Sequence, residues 1–144
     1  MTACDMRVYV DSSALIKRSV EEPESDALDA TLAEHFDHGD VVVTSSLAWI
    51  EVSRALQSRL EELAITADEV NEAFDVALSG VAERQITTDV VSLARRLAPK
   101  VLRTLDAVHL ATAILLDADT VITYDNRLGA ACRTNALAVV APGG

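Results

Sequence analysis

Cysteine, glycine and aromatic residues are all scarce in this chain, and each shortage excludes a class of protein. The two cysteines, Cys4 and Cys132, form neither a disulfide framework nor the spacing of a metal site, which suits a reducing compartment. The five glycines include no glycine-rich phosphate loop. Aromatic residues make up 3% of the chain, too few for a broad surface that stacks on bases.

Positive charge is also in short supply, with 12 Lys and Arg against 23 Asp and Glu and a formal net charge of -11. This balance opposes long-range attraction to nucleic acid, because Lys and Arg provide most of the non-specific affinity for phosphate backbones. It does not exclude a phosphodiester substrate, since bound divalent cations reverse the local field at a carboxylate site. It also favours a basic protein partner.

No apolar run in the sequence is long enough to cross a membrane. The best one, 107–116, is interrupted by His109 and Thr112. The N-terminal residues 1–7 carry charge where a signal peptide needs an apolar stretch. We therefore expect a cytoplasmic protein with no membrane association.

The pattern of apolar residues predicts one domain of the α/β class. The 144 residues, 50% of them hydrophobic, suit a single domain over 1–141 and a C-terminal tail at 142–144. Valine-rich stretches alternate with helical patterns, which predicts three α/β/α layers around a mainly parallel sheet of about five strands. The predicted strands lie near 7–11, 41–44, 85–87, 120–124 and 137–140. The predicted helices lie near 13–19, 24–37, 47–61, 67–82, 89–98, 105–117 and 126–134.

Four acidic residues occupy positions from which such a fold directs side chains into one cleft. Asp11 and Asp125 each end a predicted strand, and ligands of open parallel sheets bind outside the carboxyl ends of the strands. Glu51 lies about two turns into the helix after the second strand, and Asp106 lies in the first turn of its helix. Carboxylates gathered in this way repel one another unless a divalent cation or a proton intervenes. The pattern therefore predicts a metal site.

Each of these acidic residues also has a purely structural explanation. Asp11 and Asp125 can cap the helices that follow them. Asp106 can be stabilised by the dipole of its own helix. Glu51 can form an ion pair with Arg54 on the same helix. The sequence leaves these alternatives open for each residue taken singly.

Basic residues and one histidine lie close in sequence to the predicted site. Arg103 precedes Asp106 and Arg127 follows Asp125, so we assign both arginines to holding substrate phosphates. A solvated helix face is the alternative explanation for basic residues in this region. His109 lies one turn after Asp106, a position that can border the site, but we expect an interior histidine with satisfied hydrogen bonds.

Four segments in a fixed order span nearly the whole chain. They are 10–17 (VDSSALIK), 44–56 (TSSLAWIEVSRAL), 102–113 (LRTLDAVHLATA) and 121–128 (VITYDNRL). This ordered set resembles the PIN-domain ribonucleases, in particular the VapC-type toxins of bacterial toxin-antitoxin pairs.

The resemblance implies an endoribonuclease that depends on Mg²⁺ or Mn²⁺ and hydrolyses RNA with water to leave a 5′-phosphate. The four acidic positions of the family are occupied here by Asp11, Glu51, Asp106 and Asp125, as catalytic and metal-binding residues. The polar neighbours of the metal or substrate are Thr44, Thr123 and Ser12 or Ser13. The resemblance further implies a homodimer and a VapB-type antitoxin whose basic tail enters the cleft, in a heterotetramer or larger assembly.

Two other functions are compatible with the same sequence. One is a catalytically silent module whose acidic groove binds a basic peptide. The other is a PIN-type nuclease that processes structured RNA without an antitoxin. Divalent-metal binding separates the first from a nuclease, and the neighbouring gene separates the second from a toxin.

Overall fold

The computed structural model describes residues 5–144, except for the side chains of residues 60 and 63. Cys4 lies outside the described residues. Within them, five strands and seven helices follow one another along the chain. The strands are β1 (Arg7–Val10), β2 (Val41–Ser45), β3 (Ala82–Arg84), β4 (Thr120–Ile122) and β5 (Val139–Val140). The helices are α1 (Ser12–Ile16), α2 (Ser25–Asp37), α3 (Ser46–Leu63), α4 (Ala67–Leu78), α5 (Thr88–Ala94), α6 (Thr104–Leu116) and α7 (Asn126–Thr134).

All five strands are parallel and lie in the order β3-β2-β1-β4-β5. Strand β1 is central, and its Tyr9 lies opposite Val43 of β2 on one side and Val121 of β4 on the other. The chain builds outward from β1 to β3, then returns to β4 on the other side of β1. The boundary between β1 and β4 is therefore the topological switch point, where open α/β sheets bind their ligands.

Side chains that alternate along the strands pack into two hydrophobic cores, one on each face of the sheet. Val8 and Val10 of β1 belong to the first core, together with buried residues of α1, α2, α3 and α4. Tyr9 belongs to the second core, together with buried residues of α6 and α7, including Cys132. Both faces of the sheet are thus covered by helices, as parallel sheets require. The predicted three-layer α/β/α fold is confirmed.

A side-chain cap explains where α4 begins, whereas the N-cap of α6 makes no side-chain hydrogen bond. Helix α4 starts with the predicted capping box, in which Thr66 Oγ1 accepts the Glu69 N–H at 3.2 Å and Glu69 Oε1 accepts the Thr66 N–H at 3.3 Å. Threonine is a common N-cap, and its place just before the helical pattern predicts Thr104 as the cap of α6. This prediction is wrong, because the N-cap is Arg103. Thr104 is instead the first helical residue, which leaves Asp106 in the first turn of α6.

Several predicted boundaries are wrong by two or more residues, among them the end of α1 and the start of β5, and three of the errors have a local cause. Strand β3 lies at Ala82–Arg84 instead of 85–87, because this exposed edge strand has no apolar alternation to mark it. Helix α4 ends before Ser79 instead of near 82, since the following Gly80 has a φ of +77°. Helix α5 ends at Ala94 instead of near 98, in a stretch that leads to a proline, and the residue before a proline disfavours helical conformation.

The C-terminal residues 142–144, predicted to form a tail, contact the rest of the chain through Pro142. In the C-terminal segment, the Tyr124 hydroxyl donates a hydrogen bond of 2.7 Å to the carbonyl oxygen of Pro142. The division into a domain at 1–141 and a tail at 142–144 stays a prediction.

Across residues 5–144, no helix combines the length and the apolar character needed to span a membrane.

Candidate active site

Polar residues follow β1 and β4 at the switch point of the sheet. Asp11 comes directly after β1, and its backbone N–H donates to the carbonyl oxygen of Ile122 at 3.3 Å. Thr123 and Asp125 follow β4. Because the carboxyl ends of parallel strands meet at one edge of a sheet, these side chains share that edge.

Asp11 is 3% exposed, and both of its carboxylate oxygens accept hydrogen bonds. Oδ1 accepts the Ser13 hydroxyl at 2.7 Å and the Ala14 N–H at 3.1 Å, and Oδ2 accepts the Thr123 hydroxyl at 2.6 Å. Asp11 therefore does cap α1. Burial raises the pKa of this carboxyl above its ordinary value despite the three donors. The ionised group is thus costly here, and a cation would relieve that cost.

Thr123 connects Asp11 to Asp125. Its hydroxyl donates to Asp11 and also accepts the backbone N–H of Asp125 at 3.0 Å. Oδ1 of Asp125 accepts the N–H groups of Arg127 at 2.8 Å and Leu128 at 3.1 Å, which caps α7. These two contacts use only Oδ1, so Asp125 has a second carboxylate oxygen to offer a ligand.

Glu51 projects from α3 and reaches the same edge through two polar partners. Its Oε1 accepts the hydroxyl of Ser12 at 3.0 Å and lies 2.6 Å from Nε2 of His109. Ser12 is the neighbour of Asp11, and His109 lies one turn after Asp106 on α6. Glu51 is therefore tied by hydrogen bonds to the segments that carry two other acidic residues.

Asp106 lies in the first turn of α6 and completes the set. Burial raises the pKa of Asp106, and the neighbouring charge of Asp125 raises it further, while Arg103 and Arg127 act in the opposite direction. The charges of Asp125, Arg103 and Arg127 thus all act on the carboxylate of Asp106. Arg103 and Arg127 are both exposed, and their role in holding substrate phosphates stays a prediction.

Within residues 5–144, no lysine or arginine forms an ion pair with any of the four acidic side chains. The ion pairs of these residues join other groups, apart from the contact between His109 and Glu51. The alternative in which Arg54 pairs with Glu51 is therefore wrong. The edge keeps a concentration of negative charge, which favours binding of a cation.

Thr44 differs from the other hydroxyl residues of the predicted site. It is fully buried and donates a hydrogen bond of 2.6 Å to the carbonyl oxygen of Val10, which joins the ends of β2 and β1. Ser13, Thr123 and Ser12 instead contact the carboxylates directly. The geometry thus gives Thr44 a supporting position beneath the site.

The donor set has the chemistry of a magnesium or manganese site. Among residues 5–144, no group of three or more His, Cys, Asp or Glu side chains is arranged to hold a metal ion. Mg²⁺ needs no such group, since it keeps several waters and is usually held by one or two carboxylates and the substrate phosphate. The carboxylates of Asp106 and Asp125, close enough for the charge of one to raise the pKa of the other, offer oxygen atoms of the kind that this ion requires. The residues therefore fit a hydrated ion, while the use of all four acids in metal binding stays a prediction.

A family model and curated relatives match this chain over most of its length. The model of the PIN domain matches residues 8–133, and the chain therefore belongs to the PIN-domain family. Ribonuclease VapC46 of Mycobacterium tuberculosis is 41% identical over 137 residues, which cover 94% of this chain and 97% of the relative. Ribonuclease VapC47 of the same species is 33% identical over 138 residues, with the same coverage. The resemblance to VapC-type proteins is thereby confirmed.

Solved structures share the fold at low sequence identity. The complex VapBC2 from Rickettsia felis, bound to a DNA fragment from its promoter, contains a chain that matches with a TM-score of 0.72 and 14% identity. That match covers 94% of this chain and 98% of the other. VapC20 of Mycobacterium tuberculosis, a toxin that cleaves the sarcin-ricin loop, matches with a TM-score of 0.66 and 18% identity, covering 86% and 94% of the two chains.

The sequence alone assigned no function to two residues of this site, His109 and Tyr9. His109 was expected to be an interior histidine, and it is 3% exposed, yet its ring also contacts Glu51. Its position one turn after Asp106 was the available signal. Tyr9, whose hydroxyl lies 2.5 Å from Nδ1 of His109, gave no signal, because its partner is 100 residues away.

Proposed function

We propose that this chain is a metal-dependent endoribonuclease and the toxin of a VapBC-type pair. The observation that carries the proposal is the group of acidic residues near the switch point, none of which forms an ion pair with a lysine or arginine within residues 5–144. The relatives named as VapC ribonucleases, at 41% and 33% identity, support the same activity.

The contacts of the acidic residues give them different roles in the reaction. Asp106 and Asp125 hold Mg²⁺ or Mn²⁺, because each has carboxylate oxygen to spare. Asp11, buried beneath them, adds negative charge that favours the cation. A divalent cation held by these residues would supply Lewis-acid chemistry for the attack of water on phosphorus and would stabilise the charge that develops on the departing 3′ oxygen. Glu51, held through one oxygen, uses the other to orient the attacking water.

Arg103 and Arg127 hold the RNA backbone at this site. Both are exposed and act on the local field of Asp106. Arginine suits this task because its planar group donates two parallel hydrogen bonds to a phosphate. Thr123 and Ser12 keep the carboxylates in place as the substrate approaches, through their hydrogen bonds to Asp11 and Glu51.

The partner is a VapB-type antitoxin with a basic segment. The net charge of -11 and the acidic cleft favour such a segment electrostatically. The neighbouring structures VapBC2 and FitAcB, the latter from Neisseria gonorrhoeae at 17% identity and a TM-score of 0.66 over 94% of this chain and 97% of the other, carry the names of such pairs. We expect a homodimer that joins its antitoxin in a heterotetramer or larger assembly.

RNA cleavage by the purified chain tests the proposal. We expect cleavage with Mg²⁺ or Mn²⁺ that leaves 5′-phosphate ends, and its loss in Asp106→Asn and Asp125→Asn. The matched control is Asp117→Asn, since Asp117 is exposed and Asn tolerates its left-handed backbone. Cleavage no greater than that of Asp106→Asn, with several metals, would falsify the enzymatic proposal. Metal binding without cleavage would instead favour a silent binding module.

A further inference from the structure

Glu51 and His109 meet where α3 and α6 approach the end of β1. Glu51 Oε1 lies 2.6 Å from His109 Nε2, and the same oxygen accepts the Ser12 hydroxyl at 3.0 Å. We propose that His109 is a positioning residue that fixes the Glu51 carboxylate for the reaction. This inference rests on the proposed function and adds a residue to its machinery.

The hydrogen-bond directions of this group follow from its donors and acceptors. A carboxylate only accepts, so Nε2 of His109 donates to Glu51. When the ring is neutral, Nδ1 accepts, and the Tyr9 hydroxyl, 2.5 Å away, donates to it. The Tyr9 oxygen in turn accepts the backbone N–H of Ser45 at 3.2 Å. Burial raises the pKa of Tyr9, which keeps its hydroxyl protonated as the donor.

The far end of this group is anchored in rigid structure. Tyr9 is completely buried in the central strand, and its ring packs edge-on against the His109 ring with centroids 5.8 Å apart. Ser45 is the N-cap of α3, the helix that carries Glu51. The contacts therefore form a closed circuit from Ser45 through Tyr9 and His109 to Glu51, and back along α3. Such a circuit leaves the carboxylate little freedom to rotate.

The two carboxylate oxygens of Glu51 therefore have different hydrogen-bond partners. Both donors, Ser12 and His109, bind Oε1, while the side chain stays 27% exposed. Two donors on one oxygen restrict the rotation of the carboxylate, and no hydrogen bond of the described residues uses Oε2, which keeps its capacity to accept one. A purely interior role for His109 would not need a partly exposed acidic partner. Preorganisation of this kind matters because small displacements of a catalytic group are costly in rate.

Two substitutions of His109 separate its two ring nitrogens. His109→Gln retains a donor near the position of Nε2, whereas His109→Asn retains a polar group near Nδ1 and loses the donor to Glu51. We expect kcat to fall roughly 10- to 100-fold in His109→Asn with little change in KM, as for losses of other supporting residues. His109→Gln should restore most of kcat. Equal losses in the two variants would overturn the proposal.

A double-substitution cycle tests whether His109 acts through Glu51. If it does, His109→Asn lowers kcat no further in a Glu51→Gln background. Additive losses would show an independent role and would count against the inference. The control is Thr112→Val, because Thr112 lies one turn further along α6, is also 3% exposed, and donates only to the Val108 carbonyl of its own helix. Its kcat should match that of the unchanged chain.

An NMR measurement tests the contact between His109 and Glu51 without relying on RNA cleavage. The Nε2–H proton of His109 should give a downfield NMR resonance that moves upfield in Glu51→Gln and stays in place in Thr112→Val. An inactive wild-type chain with this resonance would defeat the proposed function alone. An active chain whose resonance ignores Glu51→Gln would defeat the positioning role alone.

Discussion

The hydroxyl of Thr123 donates a hydrogen bond of 2.6 Å to Oδ2 of Asp11, and it thereby joins the residues that follow β4 and β1. The same hydroxyl accepts the backbone N–H of Asp125 at 3.0 Å. One small side chain thus positions two acidic residues that lie 114 positions apart in the sequence (125 minus 11). Its loss should affect both the stability of the fold and the site.

Thr123→Val should lower the free energy of unfolding by about 1–3 kcal/mol, because it leaves the buried Asp11 carboxylate without one of its donors. Urea unfolding measures the effect. Thr120→Val is the control, since Thr120 is 6% exposed and its buried hydroxyl has no hydrogen-bond partner. That substitution should be neutral or slightly stabilising. A larger loss in Thr120→Val than in Thr123→Val would contradict this account.

Thr44→Val tests whether the Thr44 side chain stabilises the fold or contacts the substrate. Thr44 donates to the carbonyl oxygen of Val10 and is fully buried, so we expect a loss of about 1 kcal/mol in unfolding free energy. The KM for RNA should stay unchanged. A raised KM at unaltered stability would instead support the direct substrate role that the family resemblance implies.

Asp106→Asn should raise the thermal stability of the metal-free chain at neutral pH. The pKa of Asp106 in the folded state lies above its ordinary value of 3.8, because of burial and the nearby Asp125. The folded state therefore binds the proton more tightly, and stability falls as pH rises from 3.8 through the raised pKa. Each kcal/mol of relief corresponds to roughly 2–4 °C in Tm for a domain of this size.

Calorimetry across pH checks this prediction for Asp106. The difference between the variant and the unchanged chain should vanish below the ordinary carboxyl pKa, where both side chains are neutral. Added Mg²⁺ should stabilise the unchanged chain and have less effect on Asp106→Asn, because a ligand stabilises only the state that binds it. A variant that is less stable than the unchanged chain at neutral pH would refute the argument.

Arg103→Ala and Arg127→Ala should weaken RNA binding without loss of stability, since both arginines are exposed. For each charge removed, the slope of log affinity against log salt should become shallower by about 0.7 for single-stranded RNA. Arg59→Ala is the control, because Arg59 has only a long surface contact of 3.8 Å with Glu62. Salt-dependent binding that is identical in all three variants would remove both arginines from the substrate path.

The sequence was sufficient to predict the sheet and the positions of its acidic residues. Valine-rich β1 and β2 carry a strong apolar signal, and Asp11 and Asp125 follow directly where strands end. Strand β3 was misplaced because its residues are exposed and polar at the edge of the sheet. Edge strands are defined by pairing with a neighbour, which no local pattern reports.

The supporting contacts of the site were less predictable than its acids. The structural explanation for Asp11 and Asp125 as helix caps is correct, yet capping leaves acceptor capacity for other ligands. The pairing of Glu51 with His109 in preference to Arg54 depends on how α3 packs against α6. Contacts of that kind join residues with no fixed spacing, so only the folded chain reveals them.

The order in which the site residues occur along the chain has a consequence for biosynthesis. The circuit from Tyr9 through His109 to Glu51 draws on the first strand, the third helix and the sixth helix, and Thr123 and Asp125 of the acidic site follow only after β4. A growing polypeptide therefore carries an incomplete acidic site until residue 125 has been added. Any capacity to cut RNA should arise in a single late event, once the chain beyond position 125 has emerged and closed over the sheet.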